Sequence, residues 1–291
     1  MAFVDDLRDV PELAQWLIGE EIGRGGMGVV YAATDQDTGE PCALKIITTG
    51  PDAAAHVRRE IENSRQLEHP NIVRTHAGGL VRDIPYMALE LCAHGNLAQR
   101  VREQGPLPAD QAVSLITQVL AGLEYAHAAP VTATDAHGGR VDTVGLVHRD
   151  VKPQNILLAG AGDVAKVADF GLAKAFQLAG LSGLTRTGSS AGTPAFMPRQ
   201  QVIDFKYATP AVDVWAAAAS LYFALTAHTP RDFRPGKDPW LTAWRSRPVP
   251  LRQRGVPVPD RLATLLDEAL ADDPDLRFGT ATELRAALEA I

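Results

Sequence analysis

The sequence predicts an α+β protein, with strands concentrated up to residue 92 and helices in the remainder. Three observations carry that expectation. Apolar runs broken by turn residues occupy 22–47 and 85–92. Helix-period apolar stripes occupy 53–68 and 110–128, and 213–227 is apolar almost all round. One short hairpin pattern, 156–167, interrupts the helical part.

Composition sets the bounds. The 291 residues, 46% apolar, suffice for one large domain or two lobes with an ample core. Net charge is -7, and Lys and Arg are scattered, which argues against nucleic acid or a polybasic membrane patch as partner. Cys42 and Cys92 lie in apolar runs and do not read as a disulfide framework. No run approaches the roughly 18 continuous apolar residues of a membrane span, and the N-terminus is not signal-like, so the expected location is cytoplasmic. Abundant Ala and Arg hint at a GC-rich bacterial source.

Taken in order, residues 1–17 read as a short helical lead-in. Ile22-Gly23-Arg24-Gly25-Gly26-Met27-Gly28 then gives G-x-G-x-x-G, a pattern shared with dinucleotide-binding folds. The three residues after Gly28 discriminate between the two: Val29-Val30-Tyr31 is strand-forming, whereas a dinucleotide motif opens into a helix. A turn at 35–39 leads to the strand Cys42–Ile47, so the unit is a hairpin whose glycine tip can approach phosphates closely.

Lys45 sits inside that apolar strand. In the next helix, Val57, Glu60, Ser64 and Leu67 share one face, so Glu60 is expected to face inward and to need a cation. Lys45 is its natural partner, and Glu62 falls off the stripe. Further on, His69-Pro70-Asn71 ends the helix and 85–92 forms a strand. Residues 110–128 carry Val113, Ile116, Leu120 and Leu123 on one helical face. Residues 129–144, rich in Thr, Asp, Gly and His, read as an exposed loop or small hairpin. His127, His137 and Asp142 lack metal-site spacing.

The chemistry is concentrated in His148-Arg149-Asp150-Val151-Lys152-Pro153-Gln154-Asn155, with Asp169-Phe170-Gly171 fourteen residues later. A hairpin between the two stretches would return Asp169 beside Asn155. An amide oxygen and a carboxylate held together suit a hard cation such as Mg2+, with Asp150 and Lys152 close by. That combination points to phosphoryl transfer.

These motifs closely resemble the catalytic and magnesium loops of the bacterial eukaryotic-like (Hanks-type) Ser/Thr protein kinases, over about 18–291. The resemblance implies a bilobal protein-kinase fold in one domain, 1–291. Its small antiparallel-sheet lobe would span about 1–92, its hinge about 90–95 and its helical lobe about 93–291, with ATP between the lobes. ATP and Mg2+ are the implied cofactors, with Mn2+ as the substitute metal, and protein Ser/Thr hydroxyls the substrates. Ile22, Gly23, Gly25, Gly28, Val30, Ala43, Leu157 and the backbone of Glu90 and Cys92 would bind the nucleotide. Leu89 would be the gatekeeper, and Lys45 with Glu60 would hold the α- and β-phosphates. Asp150 would take or orient the hydroxyl proton, and Lys152, the Ser/Thr-kinase form, would stabilise the transferring group. Asn155 and Asp169 would hold metal. The polar segment after Gly171 matches an activation loop, with Thr185 and Thr187 as phosphorylation sites, Arg149 as their cation, and Thr193 shaping the substrate site. Asp213 would cap backbone N–H groups of the catalytic loop.

The chain also departs from the family. About sixteen extra residues, 129–144, precede the catalytic loop. The expected Ala-Pro-Glu is Met197-Pro198-Arg199, one residue short and with the charge reversed, while its downstream partner Arg277 is kept. Arg277 must therefore face a like charge or find another partner, with Glu268 or Asp272 available to compensate. The glycine usual in the buried helix is Ala218. These departures keep open a pseudokinase-like nucleotide-binding scaffold, and the fold keeps open a small-molecule kinase.

Overall fold

A computed structural model describes residues 10–25, 28–48, 51–134, 140–170, 172, 194–205, 208–272 and 275–291. They fall into two compact units, with the chain passing between them after Glu68, after Ile72 and after Leu91.

Among the described residues, the first unit is a five-stranded antiparallel sheet with one α-helix. Its strands are β1 (Trp16–Gly25), β2 (Gly28–Asp35), β3 (Pro41–Ile47), β4 (Thr75–Val81) and β5 (Ile84–Glu90), in the order β1-β2-β3-β5-β4. Alternate residues Trp16 and Ile18, Tyr31 and Ala33, and Cys42, Leu44 and Ile46 bury one face. Val10 and Leu13 join that face from a single 3-10 turn, Pro11–Leu13, which is all the helix the described part of the lead-in contains. Helix α1 (Pro51–Ser64) packs on β4 and β5. Val57, Glu60, Ser64 and Leu67 are all buried, as the stripe predicts, while Glu62 lies outside and pairs with Arg58 at 3.2 Å.

The second unit is mainly helical: α2 (Leu97–Gln104), α3 (Ala109–Ala128), α4 (Arg199–Ile203), α5 (Pro210–Thr226), α6 (Pro239–Arg245), α7 (Asp260–Ala269) and α8 (Ala281–Glu289). Helix α5 is its axis, buried on nearly every side and packed by α3, α7 and α8. Helix α8 starts with a capping box, spelled by Thr280 and Glu283 three residues apart: Glu283 N–H donates to Thr280 Oγ1, and Thr280 N–H to Glu283 Oε2. Helix α2 is absent from the sequence expectations, although Asn96 and Gln99 form the same reciprocal box and spell its start.

Two hairpins complete the unit. The stretch 129–144 forms a small hairpin, β6 (Pro130–Thr134) with β7 (Arg140–Val144), one of the two forms expected. β8 (Ile156–Ala159) pairs with β9 (Val164–Val167) in the register Ile156↔Val167. That second hairpin is pinned on both edges. Asn71 donates to Ala165 O (2.9 Å) and accepts from Val167 N–H (2.9 Å), while Leu158 N–H donates to Gly95 O (2.9 Å). Among the described residues, no helix is long and apolar enough to cross a membrane.

Candidate active site

In the second unit, the loop 148–155 owes its shape to one buried carboxylate. Asp213, in the first turn of α5, accepts His148 N–H through Oδ2 and Arg149 N–H through Oδ1, each at 2.7 Å. Its Oδ2 also meets His127 Nε2 at 2.8 Å. The expected cap is therefore formed, reinforced by His127, to which the sequence assigns no role. Arg149 has φ 67°, a conformation costly for a residue with a Cβ and held here by these contacts.

The next peptide is locked by His148. Asp150 N–H donates to His148 Nδ1 at 3.2 Å, so the imidazole proton is on Nε2, which donates to Ala168 O at 2.7 Å. Phe170 packs edge-on against the same ring, centroids 4.7 Å apart. Thus the loop that carries Asp150 and the strand end that carries Asp169 are tied through one histidine.

Asp150, Lys152 and Asn155 converge. Lys152 Nζ donates to Asp150 Oδ2 at 2.7 Å; Asn155 Nδ2 donates to Asp150 O at 2.8 Å and to Oδ2 at 3.2 Å. Pro153–Asn155 closes as a 3-10 turn. Asn155 sits opposite Ala168, whose N–H it accepts at 2.9 Å, so Asp169 comes one residue on rather than directly across. Asp169 has φ 66°. The Asn155 side-chain nitrogen is committed to Asp150, which leaves the amide oxygen as the atom able to meet a cation. An amide oxygen and a carboxylate form an all-oxygen donor set that fits Mg2+.

The remaining expected residues that are described lie in the first unit, except Cys92 and Leu157, which are half-buried in the second. Lys45 (7% exposed) is in β3 between Val30 of β2 and Met87 of β5, and Glu60 (4% exposed) is on the inner face of α1. Asn63 Nδ2 donates to Glu60 Oε2 at 3.5 Å. Ala43 and Leu89 face each other in the β3–β5 register and are buried; Val30 and Glu90 are half-buried; Ile22 is exposed. Gly23 and Gly25 leave room around them. Gly28 does not: φ is 143°, and a Cβ would lie 2.0 Å from Ile46 O. The sheet itself therefore demands glycine at 28, independently of any ligand. Thr185, Thr187, Thr193 and Gly171 lie outside the described residues.

The model of the protein kinase domain matches residues 16–287. The chain belongs to that family. It is 33% identical over 94% of its length to a probable serine/threonine-protein kinase of Corynebacterium efficiens, spanning 41% of that relative. It is 32% identical over 96% of its length to serine/threonine-protein kinase PknL of Mycobacterium tuberculosis, spanning 66% of it. The chain thus spans less than two thirds of these curated relatives. Among solved structures, Rad53 1–466 in complex with AMP-PNP superposes with a TM-score of 0.71 at 25% identity, over 95% of this chain and 66% of that one.

Against the kinase pattern, the corner around Arg199 is rebuilt. Arg277 is 59% exposed and reaches Glu268, itself 53% exposed, at 4.0 Å, and also lies over the Phe278 ring. It has found one of the two expected partners, in solvent rather than in the interior. The buried cation is Arg231, which no sequence motif singles out. Its guanidinium meets Asp272, donates to Met197 O (3.0 Å) and Ser246 O (2.9 Å), and lies 4.8 Å over Trp215. Asp272 Oδ2 also accepts Arg199 N–H at 2.8 Å. Both residues of the replacement pair stand in plain view in the sequence, but nothing in their spacing announces the pairing.

Proposed function

We propose that the chain is the catalytic domain of a Ser/Thr protein kinase, transferring the ATP γ-phosphoryl group to protein Ser or Thr hydroxyls. The observation that carries this reading is the convergence of Asp150, Lys152 and Asn155 in a loop whose backbone is fixed by Asp213 and His148. Fixing the backbone matters because positioning and charge compensation supply most of the rate in phosphoryl transfer.

In this reading the Asp150 carboxylate orients the substrate hydroxyl and accepts its proton as the oxygen bonds to the γ-phosphorus and the bond to ADP breaks. Lys152 then stands against the negative charge of the transferring group. Lys45, oriented by Glu60, takes the α- and β-phosphates. Asn155 and Asp169 would hold Mg2+, which neutralises phosphate charge when bound. Ile22, Gly23, Gly25, Gly28, Val30, Ala43, Leu157 and the backbone of Glu90 and Cys92 serve the nucleotide, and Thr193 the substrate side. Residues 1–291 act as one domain, in a bacterial cytoplasm that supplies ATP. The presence of each catalytic group disfavours the scaffold alternative, and Lys152 disfavours the small-molecule kinase.

Incubation with radiolabelled ATP and Mg2+, and then intact-mass analysis, tests the proposal. Wild type should gain phosphate on itself and on added protein. Asp150→Asn should bind ATP nearly as well and transfer none. Nucleotide binding by wild type without any transfer would instead favour the scaffold.

A further inference from the structure

We infer that Gln201 is a positioning residue for Asp150, tethering the peptide that precedes it. The inference rests on the role proposed above for Asp150. Gln201 is 2% exposed, and its Nε2 donates to Arg149 O at 2.6 Å. The Arg149–Asp150 peptide is thereby held at both ends, its carbonyl by Gln201 and its N–H by His148 Nδ1 at 3.2 Å. Asp213 takes the two preceding N–H groups. Rotation of that peptide plane would swing the Asp150 carboxylate, so the Gln201 bond acts on the position of the reacting group rather than on bulk packing.

A tether is useful only if its own base is fixed. Helix α4, which carries Gln201, has five residues and cannot be stable alone. It is anchored from outside. Asp272 accepts Arg199 N–H through Oδ2 (2.8 Å) and the Gln200 side-chain amide through its carbonyl (3.1 Å). Arg231 grips Met197 O just upstream at 3.0 Å and Asp272 itself. The charge pair that the family places on residue 199 has been lost, and Arg231 with Asp272 fixes the same segment, from which Gln201 reaches the catalytic loop.

Gln201→Met keeps side-chain volume and removes the donor; Gln201→Glu keeps shape and turns the donor into an acceptor facing a carbonyl. Each should lower kcat on the order of tenfold, the scale of one hydrogen bond in a transition state. KM for ATP should stay near wild type, and the melting temperature should fall by the one buried hydrogen bond lost, further in Gln201→Glu, whose carboxylate is buried. The second readout needs no activity: amide exchange at Asp150 should quicken, while His148 and Arg149, held by Asp213, keep their protection. Wild-type kcat and unchanged Asp150 exchange in both variants would overturn the inference. So would a loss of kcat accompanied by faster exchange across the whole unit, which is what a merely structural glutamine would give. Absence of transfer by wild type would count against the proposed function instead, and the exchange measurement would still decide the tether.

Discussion

Arg231 and Asp272 form an ion pair closed off from solvent, with the guanidinium stacked on Trp215 and the carboxylate also holding the Arg199 N–H. Burial lowers the Arg231 pKa and the nearby Arg199 adds to that, while Asp272 opposes both. The pair must therefore offset a desolvation cost. Removing one member leaves the other charged and unpaired, so Arg231→Met and Asp272→Asn should each lose about 3–5 kcal/mol in urea unfolding. Arg231→Met with Asp272→Leu should lose less than the sum, the remainder coming from the uncapped Arg199 N–H. Arg277→Ala should change stability by less than about 0.5 kcal/mol, because that arginine is solvated. A large loss there would mean the family's pairing survives after all.

Asp213 is the second point of leverage. Asp213→Ala strands the buried His148 N–H and exposes the Arg149 N–H to a vacated corner, at roughly 1–3 kcal/mol for each lost acceptor. His127→Gln removes a single contact and should cost far less. Thermal melting of the two variants side by side checks the ranking, and equal losses would overturn it.

Much of this is legible in the sequence, and the exceptions have a common cause. The buried stripe of α1, the cap by Asp213 and the box at Thr280 each come from local periodicity or short fixed spacing. The small hairpin at 130–144 comes from its turn-rich composition. Its exit is fixed by Gly145, with φ 93° and no room for a Cβ beside His127 O. Long-range pairing of single residues leaves no such trace. Arg231 and Asp272 are 41 positions apart, and Gln201 and Arg149 are 52 apart, with no periodic pattern linking either pair. Asn155 and Asp169 fall between these cases: the hairpin is legible, but its register is one residue from the expected one.

His69 gives a pH prediction. Burial holds its pKa below the ordinary value, helped by the charges of Lys166 and Arg285 and opposed by Glu124. Its Nδ1 accepts Asn71 N–H at 3.1 Å and its ring stacks on Tyr125, so the neutral form is the native one. With the folded pKa depressed, this contribution is full above the unfolded value near about 6.5 and is lost as pH falls through the folded one. The melting temperature of His69→Gln should therefore fall less than that of wild type across that range. Parallel curves would remove His69 as the source.

Thr185 and Thr187 lie outside the described residues, and their prediction rests on sequence. They stand eight and six residues before Thr193, a spacing that resembles the activating pair of bacterial relatives. Phosphate there would carry about −1.5 to −2 charge and suit Arg149. Replacing both with Ala should slow substrate phosphorylation by roughly tenfold or more, since loop ordering and loop charge are both lost. Phosphopeptide mapping of active enzyme should find one or both modified, and a fully active enzyme bearing neither would sink the assignment.

In the proposed roles, Lys45 and Asp169 separate nucleotide positioning from metal binding. Lys45→Met removes a buried ammonium, the cation proposed above for the buried Glu60. It should abolish most transfer while also lowering stability, because in the proposed pairing Glu60 loses its cation and stays buried. Glu60→Gln should then recover stability in the Lys45→Met background without recovering activity. Asp169→Asn acts differently: the residue, two positions past β9, keeps its place but loses the charge that in the proposed site suits a divalent ion. Its activity should rise with Mg2+ concentration well beyond the point where wild type saturates, whereas Lys45→Met should show no such recovery. A metal titration of both variants against wild type checks this, and identical Mg2+ dependence in Asp169→Asn and wild type would take Asp169 out of the metal site.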